Sequence, residues 1–119
     1  MDAGGLRVLI VEDEALLALD LEDILADAGC KVVAIASRLE QALDAAAGAE
    51  FDLALLDMNL AGERIDPVAR RIHDRGIPIV FVTGYGNRTL PQGVTAPVVD
   101  KPYTAGKLLP LIGAIAERI

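Results

Sequence analysis

Five polar residues of this chain stand where chemistry would need them. Glu12 and Asp13 follow an apolar run, Asp57 ends a second, Thr83 a third, and Lys101, with Pro102 behind it, a fourth. In an α/β protein such run ends form the carboxyl edge of the sheet, where ligands bind. Parallel strands would bring these side chains to one place. Carboxylates at 12 and 13 beside a third at 57 raise one another's pKa unless a cation neutralises them. Hard oxygen donors with open positions describe a Mg2+ site. Asp57 is then a nucleophile towards a phosphoryl group, forming an acyl phosphate. In such a transfer catalysis is positioning and charge stabilisation: the metal and Lys101 neutralise the phosphoryl oxygens, and the Thr83 hydroxyl hydrogen-bonds one of them. Taken singly, each residue has a plainer reading as a solvated helix start, a turn cap or a surface charge. Their order behind four separate runs favours a site.

The elements that must position them follow from the hydrophobic pattern. Leu6–Val11, Val32–Ala36, Leu53–Leu56, Ile79–Val82 and Val98–Val99 are short aliphatic runs of the kind that form strands buried on both faces. Between Glu14 and Ala28, Leu17, Leu21, Ile24, Leu25 and Ala28 recur at helical spacing, and Gly29 follows as a C-terminal cap. Further helices are expected over Leu39–Ala47, over Glu63–Arg75 with Val68 and Ile72 inward, and after Thr104 with Leu108, Ile112, Ile115 and Ile119 inward. Pro110 should kink that last helix or delay its start. The segment from Gly84 to Pro97 holds three glycines and two prolines, so a short or irregular fourth helix is expected there. The fold class is α/β, a flavodoxin-like doubly wound five-stranded parallel sheet.

Composition bounds the function. The 119 residues suit one domain, 1–119, and their 53% hydrophobic content, without Trp, suits an aliphatic core. A net charge of −7 disfavours nucleic acid, which is bound through clustered Lys and Arg. The apolar runs are too short to span a membrane and no targeting segment is visible, so a soluble cytoplasmic protein is expected. Cys30, the one cysteine, reads as a small buried residue, and His73 as a solvent-facing residue of the third helix.

Four motifs carry a resemblance across essentially the whole chain: Val8-Leu9-Ile10-Val11-Glu12-Asp13-Glu14, Leu55-Leu56-Asp57-Met58-Asn59-Leu60, Val82-Thr83-Gly84 and Asp100-Lys101-Pro102-Tyr103. Together they resemble a response-regulator receiver domain of the stand-alone type. The resemblance implies a two-component phosphorelay in which a histidine kinase or histidine phosphotransfer protein phosphorylates Asp57. It also implies Mg2+ held by Asp13, Asp57, the Asn59 carbonyl and, through water, Glu12. Output would pass to a partner protein, with phosphorylation pulling Thr83 towards Asp57 and reordering the Gly84–Pro97 loop. A phosphate sink for a kinase is the alternative.

Receivers typically carry an aromatic switch residue three positions before the lysine, where this chain has Val98. Instead it has Phe81-Val82-Thr83-Gly84-Tyr85, similar to the Phe-Ala-Thr-Gly group of bacterial receivers, for which general stress signalling is implied. Tyr85 or Tyr103 is the candidate to take over the switch. On the first helix, Leu16 and Leu19 fall away from the inner stripe, beside Asp20, Asp23 and Asp27, and suggest a docking surface for the phosphoryl donor. An aspartyl-phosphate phosphatase fits less well, because Asn59 stands where such enzymes place a second acid. Catalysis beyond the chain's own phosphorylation and dephosphorylation is not expected. A nucleotide carrier fits worse still, since Val11 to Ala15 lacks glycines that cradle phosphate.

Overall fold

The computed structural model describes residues 4–84, 89–101 and 103–119. In chain order the elements are β1 (Arg7–Val11), α1 (Ala15–Asp27), β2 (Lys31–Ala36), α2 (Leu39–Gly48), β3 (Leu53–Asp57), β4 (Asn59–Leu60), β5 (Glu63–Arg64), α3 (Asp66–Asp74), β6 (Ile79–Thr83), β7 (Val98–Asp100) and α4 (Ala105–Glu117). Five strands form one parallel sheet in the order β2-β1-β3-β6-β7. That is the doubly wound flavodoxin-like order, in which the chain reverses direction across the sheet beside β1 and β3.

Alternation along the strands divides the interior in two. Leu9, Val11, Leu56 and Phe81 pack with Ala42 and Ala46 of α2 and Val68, Ala69 and Ile72 of α3. On the other face Val8, Ile10, Leu55 and Val82 meet Leu21 and Leu25 of α1 and Leu108 and Ile112 of α4. The central strands β3 and β6 are buried along their whole length, whereas β2, at one edge, is buried only at Ala36. At the amino edge of the sheet Arg7 is bound to Asp52 through Nε at 3.1 Å and Nη2 at 3.0 Å. The Arg75 guanidinium sits over the Phe51 ring and donates to the carbonyls of Ala46 and Ala49, tying α3 to the end of α2.

The turn after α1 shows how local chemistry sets the sheet. Gly29, at φ +86°, donates to the Ala26 carbonyl, and the Cys30 N–H donates to that of Leu25 at 2.9 Å. This is a Schellman closure, which needs a left-handed residue after the helix, and it turns the chain directly into β2.

Several expectations are corrected. Glu63 and Arg64, assigned to the start of the third helix, are instead the second strand of a hairpin: β4 and β5 pair antiparallel, with Ala61 and Gly62 both at positive φ, and α3 begins only at Asp66 with Pro67 in its first turn. Two consecutive left-handed residues are the requirement of a tight two-residue hairpin. The short or irregular helix expected between 84 and 97 falls in part on residues 85–88, outside the described residues. Residues 89–97 run without helix or strand around a turn at Gly93, because Pro91 and Pro97 lack the N–H a helix needs and Gly93 adopts φ +82°. The last helix is not delayed by Pro110, which faces solvent within α4. Thr104 caps it as expected, its side chain accepting from the Lys107 N–H at 3.3 Å. Its inner stripe ends at Ala116, however, and Ile119 lies 65% exposed. Ala18 joins Leu21 and Leu25 as a buried residue of α1, with Leu17 and Ile24 packed half-buried beside them.

Candidate functional site

The parallel register brings four strand ends together. Val11 is level with Leu56, Asp57 with Val82, and Thr83 with Asp100, so Glu12, Asp57, Thr83 and Lys101 leave neighbouring strands at the same edge. Backbone bonds secure the alignment: Met58 N–H donates to the Val82 carbonyl at 3.0 Å and Lys101 N–H to the Thr83 carbonyl at 2.8 Å. Glu12, Asp57 and Thr83 are the buried polar residues among those described, and Asp13 is exposed at the rim.

Lys101 is the centre of the charge network. Its Nζ lies 3.0 Å from Asp57 Oδ2, 2.9 Å from Glu12 Oε1 and 3.6 Å from Glu14 Oε1. Burial works against the ammonium, but its hydrogen bonds to Glu12 and Asp57 outweigh that and hold the lysine above its ordinary pKa. Glu12 moves the other way from a typical carboxylate. Burial and the neighbouring Asp57 push it up to about 8, against the pull of Lys101. Around Lys101 one cation meets three carboxyl groups, those of Glu12, Glu14 and Asp57.

Carboxylate oxygens of Glu12, Asp13 and Asp57 all lie within 4.8 Å of one another, a grouping that could hold a metal ion. The all-oxygen donor set fits a hard divalent cation. The other oxygens are pre-arranged by the hairpin. Asn59 N–H donates to Asp57 Oδ1 at 3.2 Å, Ala61 N–H to Asp13 Oδ2 at 2.9 Å, and Gly62 N–H to Asn59 Oδ1 at 3.0 Å. Asp13, Glu14, Leu17, Asp57, Asn59, Gly62, Gly84 and Lys101 line a cleft of about 680 Å³ open to solvent.

The hairpin contacts and the approach of Glu14 to Lys101 were not read from the sequence. Ala61 acts through a backbone N–H, for which no residue type is a signal. The Leu60–Glu63 turn lacks the Asn-Gly or Asp-Gly that usually announces a tight hairpin.

Tyr103 is buried, its hydroxyl donating to the Leu17 carbonyl at 3.0 Å. Burial, and after it the charge of Glu12, keep the phenol above its ordinary pKa. It packs on the face of α1 and α4, while Val98 packs, half-buried, on that of α2 and α3. Tyr85 and Pro102 lie outside the described residues. Leu16 and Leu19 are 82% and 54% exposed on α1, and His73 is exposed on α3.

The family model of the response regulator receiver domain matches residues 8–112. The chain belongs to the response-regulator receiver family. This receiver is 32% identical over 118 residues to the transcriptional regulatory protein PdtaR of Mycobacterium tuberculosis, covering 94% of this chain and 57% of that protein. It is 31% identical over 102 residues to the phyllosphere-induced regulator PhyR of Methylorubrum extorquens, covering 82% of this chain and 38% of that one. The receiver thus spans little more than half of the first relative and less of the second, and both are named as regulators. The solution structure of SdrG from Sphingomonas melonis Fr1 superposes with a TM-score of 0.81 at 35% identity, covering 97% of this receiver and 98% of SdrG. Among the described residues, no helix is long and apolar enough to cross a membrane.

Proposed function

We propose that this receiver accepts a phosphoryl group on Asp57 from a histidine kinase or histidine phosphotransfer protein, in a Mg2+-dependent reaction, and thereby changes a partner-binding surface. It would act as a stand-alone response regulator of a two-component phosphorelay. The observation that carries this reading is Lys101 Nζ held 3.0 Å from Asp57 Oδ2 within a cluster of three carboxylates. A nucleophile, a fixed cation and a donor set for a divalent ion are the parts that phosphoryl transfer to a carboxylate requires.

An Asp57 oxygen attacks phosphorus, and the donor's leaving group departs on the opposite side. Lys101 follows the charge from the carboxylate to the phosphoryl oxygens, and Thr83, at the end of the adjacent strand, supplies a hydroxyl to one of them. Asp13, Asp57 and the Asn59 carbonyl would hold Mg2+, with Glu12 acting through water. The ion supplies the remaining charge neutralisation. Exposed Leu16 and Leu19, set among Asp20, Asp23 and Asp27, offer the donor an apolar contact ringed by acidic groups.

Incubation with acetyl phosphate and Mg2+, read by mass spectrometry, tests the chemistry. The natural protein should gain one phosphoryl group and Asp57→Asn none; labelling that survives the substitution, or no labelling at all, refutes it. In the same assay Leu16→Ser with Leu19→Ser should label normally from acetyl phosphate but slowly from the natural protein donor. Equal rates from that donor would remove the docking surface.

Val98, where an aromatic ring is usual, favours a second reading in which the receiver drains phosphate from a kinase without an output partner. A pull-down with and without beryllofluoride separates the two, since a signalling receiver gains a partner when its aspartate is occupied.

A further inference from the structure

A short ribbon links the site to the chain that follows β6. Asn59 and Arg64 stand directly opposite each other in the β4–β5 hairpin. Asn59 reaches the site, its N–H on Asp57 Oδ1. Arg64 reaches away from it: Nη2 donates to the Thr89 carbonyl at 3.1 Å, while Nε is fixed by Asp66 Oδ1 at 2.8 Å. On α3, Arg70 donates to the Gln92 carbonyl. Between these two bonds Pro91 is buried, and its carbonyl accepts from the N–H of buried Val94 at 3.1 Å. The same segment runs on into β7 and so to Lys101. Two arginines, one on the hairpin and one on α3, thus grip the 89–92 segment by its backbone.

The geometry points to Arg64 and Arg70 as a latch that holds the 89–92 segment while Asp57 is unmodified and that occupation of Asp57 releases. This rests on the phosphoacceptor reading above. Its cause is a movement of charge. As a carboxylate, Asp57 holds the Asn59 N–H by a charge-assisted bond, the stronger kind. A phosphoryl group on the opposite oxygen makes the carboxyl a neutral acyl and moves the negative charge outward to the phosphoryl oxygens. The Asn59 N–H loses its charged acceptor, and β4 is drawn after the charge. A hairpin of two paired positions moves as one piece, so Arg64 leaves Thr89 as Asn59 leaves Oδ1. Val98 supplies no aromatic ring whose rotation could carry the message, and this polar route runs from Asp57 through the hairpin to the 89–92 segment. Bonds at the surface are weak, so the latch biases an equilibrium between two forms instead of locking one.

Linkage supplies a test that a merely structural arginine would not pass. A latch made only in the unmodified form must oppose ligation at Asp57, and removing it must tighten ligation. Beryllofluoride with Mg2+ serves as the phosphoryl mimic, with fluorine NMR reading ligation and amide hydrogen exchange reading the 89–97 segment. In the natural protein, ligation should speed exchange across that segment. Arg64→Ala should exchange fast before ligation and bind beryllofluoride roughly twofold to tenfold more tightly, the worth of one net hydrogen bond. Arg70→Ala should move both readouts the same way, and Arg64→Lys, which keeps one donor, should fall between. Variants that loosen the segment with beryllofluoride affinity unchanged or weakened overturn the latch, as does unaltered exchange on ligation of the natural protein. If the natural protein neither ligates beryllofluoride nor gains a phosphoryl group from acetyl phosphate, the phosphoacceptor reading fails and the latch with it.

Discussion

Glu12 and Asp52 give the molecule opposite pH responses at its two ends. Burial, reinforced by Asp57, raises the Glu12 carboxyl to about 8, so between the ordinary glutamate range and that value the folded chain binds more protons than the unfolded one. Stability from Glu12 is therefore complete below its unfolded pKa and is lost as pH rises through about 8. Asp52 has the reverse sign: its hydrogen bonds with Arg7 hold it below the usual carboxylate range, and that contribution disappears as pH falls through the lowered pKa. In metal-free buffer the melting temperature should decline from about pH 5 to about pH 8, and Glu12→Gln should flatten the decline. An unchanged slope in the variant would assign the response to other groups. The acidic pair, Asp57, Thr83 and Lys101 were legible in the sequence because each is a polar residue at the end of an apolar run. The Arg7–Asp52 pair was not, since nothing in either residue's neighbourhood announces a partner 45 positions away.

The hairpin is the element that pattern reading missed. Strands of two residues have no periodicity to detect, and the run from Glu63 to Arg75 looked like one amphipathic stretch until Ala61 and Gly62 turned the chain. Ala61 sits at φ +51°, a conformation unfavourable for any residue with a Cβ, while its N–H holds Asp13. Ala61→Gly keeps that N–H and removes the steric cost, partly offset by the greater entropy of glycine in the unfolded chain. It should raise stability by up to about 1 kcal/mol in urea unfolding. A loss of stability would mean that the turn draws on the alanine methyl group. The long elements were legible because each carries several turns or pairs of consistent pattern. Pro110 was expected to kink the last helix or delay its start; the delay does not occur, since α4 begins at Ala105 and continues past the exposed proline.

For the molecule as a whole, five apolar runs with helices between them were enough to foresee a doubly wound sheet, because alternating elements with short connections leave few other ways to bury two faces. The order β2-β1-β3-β6-β7 then sets every strand end that matters on one side. The opposite, amino edge holds a feature of another kind. Cys30 closes α1 through its backbone and is only 8% exposed, and burial pushes its thiol pKa up. It is the one sulfhydryl in the chain, and it lies across the sheet from Asp57. An alkylating reagent added to the native protein therefore starts a clock that advances only when the α1–β2 corner opens. Its rate should follow the unfolding equilibrium measured in denaturant, slow when a ligand at Asp57 stabilises the fold, and ignore local events at the 89–92 segment. Alkylation as fast as that of an exposed thiol would show that this corner opens by itself.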